Sequence, residues 1–240
     1  MTTKSALVTG ANKGIGLEIA RGLAQHGCAV LVSSRDPSRG EEAVAALSAE
    51  GGEFHHVRLD VTDESSIAEA ARWIDDRFGR LDILVNNAGI TDSPVSGPPS
   101  ETDVAAMRTV YETNVFGVVA VTNAMLPLLR RSPAGRIVNV SSRLASISGH
   151  AAPDSTMPAF LAYGSSKSAL NAITVQYAKE LRQTAIKINA VEPGHCATDL
   201  NGHRGARTPA QGAKVAVDLA LVGEDGPTAG YFDENGPLPW

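Results

Sequence analysis

A glycine-rich octapeptide constrains the fold of this chain more than any other feature. Residues 9–16 read TGANKGIG, follow a short apolar run and precede a helical pattern over Gly16–His26. Gly10 permits a tight turn, Gly14 lets backbone approach a diphosphate, and Gly16 allows close packing of helix on strand. The helix N-terminus adds unpaired N–H groups and the positive end of a dipole. We therefore predict a nucleotide-binding strand–turn–helix unit; the alternative is an ordinary glycine-rich turn.

Short apolar, β-rich runs alternate with helical patterns along most of the chain. The predicted strands are Ala6–Val8, Ala29–Ser33, Phe54–Leu59, Ile83–Val85, Ile137–Val140 and Ile186–Val191. The predicted helices are Gly16–His26, Arg39–Glu50, Glu64–Phe78, Glu101–Leu129 and Tyr163–Arg182. This alternation indicates an α/β fold with a parallel sheet covered on both faces. Loops are expected at residues 91–100 and 146–158, and irregular chain over 201–240, held by Tyr231, Phe232 and Trp240.

Composition and charge exclude several classes of protein. With 43% hydrophobic and 20% charged residues, the 240-residue chain is globular, and no linker divides it, so one domain over 1–240 is expected. A formal charge of −5 gives no electrostatic footprint for nucleic acid or anionic membrane. No apolar run long enough for a membrane span is evident. Cys28 and Cys196 lack metal-ligand spacing, and adjacent His55 and His56 would face opposite ways, so no metal is expected; a reducing, cytoplasmic location fits.

The glycine spacing, Gly-x₃-Gly-x-Gly, resembles that of the short-chain dehydrogenase/reductase family. Asp60-Val61 and the NNAG segment at residues 86–89 match further family motifs in the right order, so the resemblance covers about residues 5–200. It implies a Rossmann-type, doubly wound parallel sheet of about seven strands and a nicotinamide cofactor. The cofactor-binding residues that it implies are Gly10, Asn12, Lys13, Gly14, Ile15, Gly16, Arg35, Asp60, Val61, Asn87, Ala88, Gly89, Tyr163, Lys167, Pro193, Gly194 and Thr198.

The end of the second predicted strand indicates which dinucleotide is bound. An NAD enzyme presents an acid there to the ribose 2′-hydroxyl, but this chain has Ser34. Arg35 follows directly, and Lys13 lies inside the glycine turn. Two cations without a repelling carboxylate favour a 2′-phosphate, so NADP(H) is predicted. The alternative is that Arg35 is a solvated residue paired with Asp36.

Four residues match the catalytic positions of the family. Tyr163 and Lys167 form its Tyr-x₃-Lys and would lie one above the other on a helix, where the ammonium is expected to lower the phenol pKa. Ser142 matches the serine that bonds the substrate carbonyl, and its neighbour Ser141 would face the other way. Asn114 matches the helix asparagine that supports the proton path; the alternative is a helix-bending side chain.

Two departures from the common family pattern bear on assembly and substrate. Tyr163 follows Ser142 by 21 positions, more than in most members, which places an insertion at about 148–160. A similar insertion marks the carbonyl reductase subgroup, and it implies a monomer rather than a dimer or tetramer. A glycine-rich lid at about 198–213 suggests an open site. Apolar candidates for its lining are Leu144, Met157, Phe160, Leu161 and Leu200, while His195 and Cys196 are interpreted as lining near the nicotinamide.

The resemblance implies an NADPH-dependent carbonyl reductase that acts reversibly on a small-molecule ketone, aldehyde or alcohol. Hydride would pass between nicotinamide and substrate, with tyrosine as the proton donor. One alternative is a ketoacyl-carrier reductase, for which Arg143, Arg204 and Arg207 could form a basic entrance. Another is a non-catalytic NADP(H)-sensing protein that binds a partner.

Overall fold

A central eight-stranded sheet organises the protein, a computed structural model that describes residues 3–93 and 96–240. Pro94 and Val95, in the loop predicted at 91–100, lie outside the described residues. The strands are β1 Ser5–Val8, β2 Ala29–Ser34, β3 Glu53–Arg58, β4 Ile83–Asn86, β5 Arg136–Val140, β6 Lys187–Val191, β7 Tyr231–Asp233 and β8 Gly236–Pro237. Their order is β3-β2-β1-β4-β5-β6-β7-β8, and the pairs are parallel except β7 with β8.

The helices of the described residues fill the crossovers between the strands. They are α1 Gly14–Gln25, α2 Pro37–Ala49, α3 Glu64–Phe78, α4 Val104–Tyr111, α5 Gly117–Leu129, α6 Ile147–Ala151, α7 Leu161–Glu180 and α8 Pro209–Ala220. The single helix predicted over Glu101–Leu129 is interrupted, because a π-helical segment, Glu112–Phe116, joins α4 to α5. The alternation of strands and helices confirms the predicted doubly wound α/β fold.

Strand side chains alternate between two hydrophobic cores, one on each face of the sheet. In β1, Ala6 and Val8 pack with residues of α1, α2 and α8, whereas Leu7 packs with residues of α3, α5 and α7. This is the two-residue period of a strand that is buried on both faces. It explains why β1, β2, β4 and β5 are buried along their whole length.

The adjacent histidines of β3 face opposite ways, as the strand period requires. The His55 ring lies against Trp73 and Phe78, with ring centroids 6.2 and 5.5 Å away. His56 instead hydrogen-bonds Ser34 on β2, with Nε2 and Oγ 3.1 Å apart. The two rings therefore share no site.

The last forty residues differ from the expectation of irregular chain. They contain α8, which starts at the capping box of Thr208 and Gln211, and the strands β7 and β8. Tyr231 is buried and stacks on Trp240, so the predicted anchoring by these aromatic residues is confirmed. The sequence signal for α8 is its Thr-Pro-x-Gln start, in which the threonine and the glutamine form the capping box.

One stretch of the described chain is long and apolar enough to cross a membrane. It is the run Val104–Leu129, with a mean hydropathy of 1.3 over its most apolar window. More than half of that window is buried inside the domain, and Val121, Met125 and Leu129 lie in the core beneath the sheet. This burial is typical of the core helix of a globular domain.

The strand order reverses direction between β1 and β4. Chain from β1 crosses to one side of the sheet and chain from β4 to the other, so a crevice opens at the carboxyl ends of these two strands. Ligands of open α/β sheets bind at such a switch point. The glycine turn that follows β1 lies there.

Candidate active site

A cleft of about 2050 Å³ lies along the carboxyl ends of the strands. Every residue that the sequence predicts for cofactor binding lines it, as do Ser142, Tyr163 and Lys167. Asn114 is the exception among the predicted site residues. Of the apolar candidates, Leu144, Phe160 and Leu200 line the cleft, and Met157 lines a neighbouring cavity of about 520 Å³. Leu161, also a candidate, is exposed and lines neither. The sheet thus brings together segments that are far apart in sequence.

The glycine turn is held to the end of β4 by backbone and short side chains. Gly10 and Gly14 have φ of +62° and +59°, which other residues rarely adopt. The Thr9 hydroxyl accepts from the backbone N–H groups of Asn87 and Ala88, at 2.9 and 3.0 Å. The Asn87 side chain donates back to the Thr9 carbonyl, at 2.8 Å. These bonds lock the ends of the two strands on either side of the crevice.

The N-terminus of α1 is open, whereas those of α2, α3 and α4 are capped by side chains. No side chain among the described residues caps α1, and its first turn has no acidic residue. By contrast, the Asp36, Asp63 and Asp103 carboxylates accept from the first N–H groups of α2, α3 and α4. An uncapped N-terminus beside a glycine turn in a cleft fits the diphosphate of a dinucleotide.

The end of β2 fits a phosphorylated ribose in part. Ser34 is buried and its hydroxyl donates to the Asp36 carbonyl, so the acid typical of NAD enzymes is absent. Arg35 is exposed in the cleft, and Asp36 caps α2 and lies beside Arg39. The predicted alternative, an Arg35–Asp36 pair, is therefore not observed. Arg35 is placed to meet a 2′-phosphate.

Lys13, which was predicted to meet the 2′-phosphate, is paired with an acidic side chain in the structure. Its ammonium forms an exposed ion pair with Asp199, which lies on the lid just after Thr198. Asp199 also lies 2.9 Å from the His203 imidazole. The lid approaches the glycine turn closely, because a Cβ on Gly14 would lie 3.5 Å from the Thr198 methyl group. Lys13 thus joins turn and lid in this structure.

Ser142 is held at both its backbone and its side chain. Its carbonyl accepts from the Ala145 N–H at 2.9 Å and from the Tyr231 hydroxyl at 2.6 Å. Its Oγ accepts from the Leu144 N–H at 3.2 Å, which leaves the hydroxyl hydrogen free to be donated. Ser141, in contrast, donates to Asn171 at 2.6 Å and is buried. The two neighbouring serines face opposite ways, as strand geometry predicts.

Tyr163 and Lys167 lie on one face of α7, and burial dominates the titration of both. Burial raises the pKa of the Tyr163 phenol to about 12; the hydrogen bond to Ser142 acts to lower it, and Glu192 to raise it. Burial also lowers the pKa of Lys167 to about 8. The Lys167 ammonium donates to the Val140 carbonyl at 2.8 Å and lies 5.7 Å from the Tyr163 ring centroid.

The pKa of Tyr163 therefore shifts in the direction opposite to the sequence prediction. The i, i+4 spacing does place the ammonium over the phenol ring. However, the loss of water around the phenol and, to a lesser degree, the charge of Glu192 raise this pKa, and the Lys167 ammonium is itself desolvated and bonded to the Val140 carbonyl. A rule drawn from spacing alone does not include desolvation.

Asn114 lies in the π-helical segment behind the cleft and is fully buried. Its amide donates to the Ile90 carbonyl at 2.9 Å and to the Ser166 hydroxyl at 3.0 Å. Its oxygen accepts from the Ile90 N–H at 2.9 Å. The predicted alternative, a local bond that bends the helix, is not observed. Asn114 instead fixes the chain that leaves the NNAG segment to the helix that carries Tyr163.

The segment after β6 forms the far wall of the cleft. Gly194 has φ of +82°, and His195 is exposed at the cleft surface. Cys196 is buried, its thiol lies 3.3 Å from the Pro193 carbonyl, and burial raises its pKa. A thiol with a raised pKa is a poor nucleophile, which agrees with its interpretation as lining.

Sequence reasoning missed Glu192 at the site. Glu192 follows β6, lines the cleft, and accepts from the Gly194 N–H at 3.0 Å. Burial raises the pKa of its carboxyl group, and its negative charge raises the pKa of Tyr163. An acid directly before the Pro-Gly pair was the available signal.

Comparisons with known proteins agree with this geometry. A profile of the short chain dehydrogenase family matches residues 4–208. The short-chain dehydrogenase anuI of Penicillium roqueforti is 38% identical, over 98% of this chain and 96% of the relative. The NADPH carbonyl reductase 1 of Rattus norvegicus is 32% identical, over 98% of both chains. The solved structure of NADPH-bound carbonyl reductase from chicken fatty liver superposes with a TM-score of 0.84 at 28% identity, over the whole of both chains.

Proposed function

The chain belongs to the short-chain dehydrogenase/reductase family and is an NADP(H)-dependent oxidoreductase of carbonyl and alcohol groups, and from this premise we propose its chemistry. It reduces a small-molecule ketone or aldehyde reversibly to an alcohol, with Tyr163 as the proton donor. The observation that carries the proposal is the meeting of Ser142, Tyr163 and Lys167 in one cleft with the open N-terminus of α1.

The cofactor supplies the hydride when it is bound, and this chain's residues hold it. The glycine turn and the N-terminus of α1 receive the diphosphate, and Arg35 receives the 2′-phosphate, joined by Lys13 if it leaves Asp199. The remaining cofactor contacts are assigned to Asn12, Ile15, Asp60, Val61, Asn87, Ala88, Gly89, Lys167, Pro193, Gly194 and Thr198.

The carbonyl oxygen of the substrate is received by two hydroxyl groups. The Ser142 Oγ accepts from the Leu144 N–H, and its hydrogen is available for donation to the substrate oxygen. Tyr163 stays protonated at neutral pH because its pKa is about 12. A developing alkoxide is a far stronger base than a tyrosinate, so the phenol gives up its proton to that oxygen.

Lys167 and Asn114 support the proton transfer, the first by its charge and the second by fixing the helix that carries Tyr163. Lys167 has a pKa of about 8 and is charged at neutral pH, so it stabilises the tyrosinate that donation leaves. Asn114 holds Ser166, three residues after Tyr163, and the backbone of Ile90. The Tyr163 carbonyl in turn accepts from the Ser166 hydroxyl at 2.7 Å, which ties Asn114 to the tyrosine.

The alternatives receive less support. In a ketoacyl-carrier reductase Arg207 would offer positive charge at the entrance, but it is paired with Glu234. A non-catalytic sensor has no use for the arrangement around Ser142. A monomer remains part of the proposal, and sedimentation giving a mass near the chain's 25.0 kDa supports it. A mass two or four times larger contradicts it.

The test follows absorbance of the reduced nicotinamide with NADPH, then NADH, against aldehydes, ketones and quinones. Tyr163→Phe removes the proton donor, and we expect it to lower turnover by on the order of 10²- to 10⁴-fold while NADPH still binds. Tyr177→Phe is the matched control, because that hydroxyl bonds Asn123 away from the cleft, at 2.7 Å. Tight NADPH binding without turnover of any carbonyl would favour the sensor instead.

A further inference from the structure

We propose that Tyr231 is a positioning residue for Ser142, and that its hydroxyl holds the serine where it donates to the substrate oxygen. The inference rests on the proposed function, because it concerns how the reacting serine is oriented. Tyr231 follows Ser142 by 89 positions and belongs to β7, a strand that no catalytic motif includes.

The contact is direct and is made by a buried side chain. Tyr231 is 1% exposed, and its hydroxyl donates to the Ser142 carbonyl at 2.6 Å. The second bond to this carbonyl comes from the Ala145 N–H at 2.9 Å, so both of its lone pairs are used. The peptide that follows Ser142 is therefore fixed from two sides.

The Tyr231 ring is itself fixed by the segment that follows β8. Its ring stacks on the Trp240 ring, with centroids 5.6 Å apart and planes 18° apart. The Tyr231 carbonyl accepts from the Leu238 N–H at 2.7 Å. The Trp240 carbonyl accepts from the N–H and the hydroxyl of Ser148, at 3.2 and 2.7 Å. One segment thus supports the ring and fastens α6, which follows the serine.

Tyr231 acts as a constant donor. Burial raises the pKa of its phenol, and so do the negative charges of Glu192 and Asp233, while Arg143 opposes them. The hydroxyl therefore keeps its hydrogen over the working range of pH. A donor of fixed protonation fits a positioning role and does not fit a proton carrier.

Holding the carbonyl also sets the direction of the reacting hydroxyl. Ser142 has an extended backbone, with φ −160° and ψ 152°, and its Oγ rests on the Leu144 N–H. Rotation of the peptide would move Oγ relative to the Tyr163 hydroxyl. Since small misplacements of reacting groups cost rate, loss of the Tyr231 hydroxyl should lower kcat without affecting NADPH binding.

The experiment compares Tyr231→Phe with wild type in carbonyl reduction. The variant keeps the ring and its stacking, and the Ser142 carbonyl keeps the Ala145 bond. We expect kcat to fall about fivefold, the effect of one hydrogen bond, with KM for NADPH unchanged. Tyr177→Phe, which also loses one tyrosine hydrogen bond, should leave kcat unchanged. Equal kcat for Tyr231→Phe and wild type would overturn the inference alone, whereas an inactive wild type would overturn the proposed function.

A double-mutant cycle separates positioning from general loosening of the fold. In a Ser142→Ala background, measured at high enzyme concentration, Tyr231→Phe should cause no further loss, because the serine hydroxyl that the Tyr231 bond positions is gone. The same fivefold loss in both backgrounds would overturn the inference. Trp240→Leu removes the ring stacking but keeps the Tyr231 hydroxyl. We expect this variant to lower kcat less than Tyr231→Phe does, and to lower it no further in the Ser142→Ala background. A fall in kcat that persists in the Ser142→Ala background would contradict the inference.

Discussion

The two ends of the cleft are built differently. At the phosphate end, where β1 to β4 finish, the surface is backbone: a glycine turn, an uncapped helix and the bonds between Thr9 and Asn87. At the reaction end, where β5 to β7 finish, the site depends on groups distant in sequence: Lys167 donates to the Val140 carbonyl, and the Ser142 carbonyl accepts from the Tyr231 hydroxyl. The first end tolerates little change of shape, and the second depends on burial and charge.

The largest effect is expected at the phosphate end, from Gly16→Ala. A Cβ there would lie 2.4 Å from the Asn87 amide nitrogen and 2.6 Å from the Gly10 carbonyl oxygen, so the turn must shift. We expect loss of NADPH binding and of about 3 kcal/mol in the free energy of unfolding, because overpacking is costly. Urea denaturation and NADPH titration measure the two quantities.

The control for Gly16→Ala is Gly223→Ala. A Cβ at Gly223 would meet no atom within 4 Å, so binding and stability should stay as in wild type. Unchanged NADPH binding in Gly16→Ala would show that the phosphate end is more adaptable than its packing indicates.

Lys167→Met tests the reaction end through the pH dependence of stability. The folded-state pKa of Lys167 is about 8, below the ordinary 10.5. Between these values the unfolded chain keeps a proton that the folded chain has lost, so this group makes stability rise with pH. Relative to wild type, the variant should lack a rise of about 2 kcal/mol between pH 8 and pH 10.

The stabilities of Lys167→Met and wild type are compared only up to pH 10. Above that, Tyr163 acts in the opposite direction, because its folded-state pKa of about 12 exceeds the ordinary 10 and stability then falls with pH. Lys179→Met, at an exposed lysine on the same helix, should follow the wild-type curve. Parallel curves for Lys167→Met and wild type would mean that burial does not perturb Lys167.

Arg35→Ala tests whether the positive charge of Arg35 binds the 2′-phosphate and so distinguishes NADPH from NADH. Removing the guanidinium should weaken NADPH binding about tenfold, the loss expected for hydrogen bonds to a charged group. NADH lacks that phosphate, so its affinity should not change and serves as the internal control. Equal losses for both cofactors would assign Arg35 to the adenine side instead.

The smallest effect is expected where the two ends meet, from Asp199→Asn. The variant releases Lys13 from its exposed ion pair, and the free ammonium can then turn to the 2′-phosphate. Exposed pairs contribute little, so NADPH affinity should rise by no more than about fivefold. Asp218→Asn, which breaks the exposed Lys214–Asp218 pair, is the control and should have no effect. Weaker NADPH binding in Asp199→Asn would mean that the pair supports the cofactor.

Most of the phosphate end could be predicted from the chain alone. Gly10 and Gly14 have positive φ, and Gly16 is closely approached by neighbouring atoms. These are local requirements of the backbone that glycine meets, so the sequence shows them directly. The alternation of apolar runs records a sheet buried on both faces, and so the α/β fold. The family follows from the order of its motifs, and NADP(H) from Ser34, Arg35 and Lys13. Prediction was less accurate in the last forty residues, because α8 and β7 are short and lie among several glycines and prolines that hide their periodicity.

The sequence by itself thus indicated the fold class and, through the family resemblance, the cofactor and most of the residues that line the cleft, because these are recorded in residue type and spacing along the chain. Tertiary structure alone decided that Tyr231 supports Ser142, that the charge of Glu192 raises the pKa of Tyr163 and that Lys13 pairs with Asp199. It also reversed the expected pKa shift of Tyr163. Desolvation and hydrogen bonding depend on which distant groups surround an atom, and spacing along the chain does not record that.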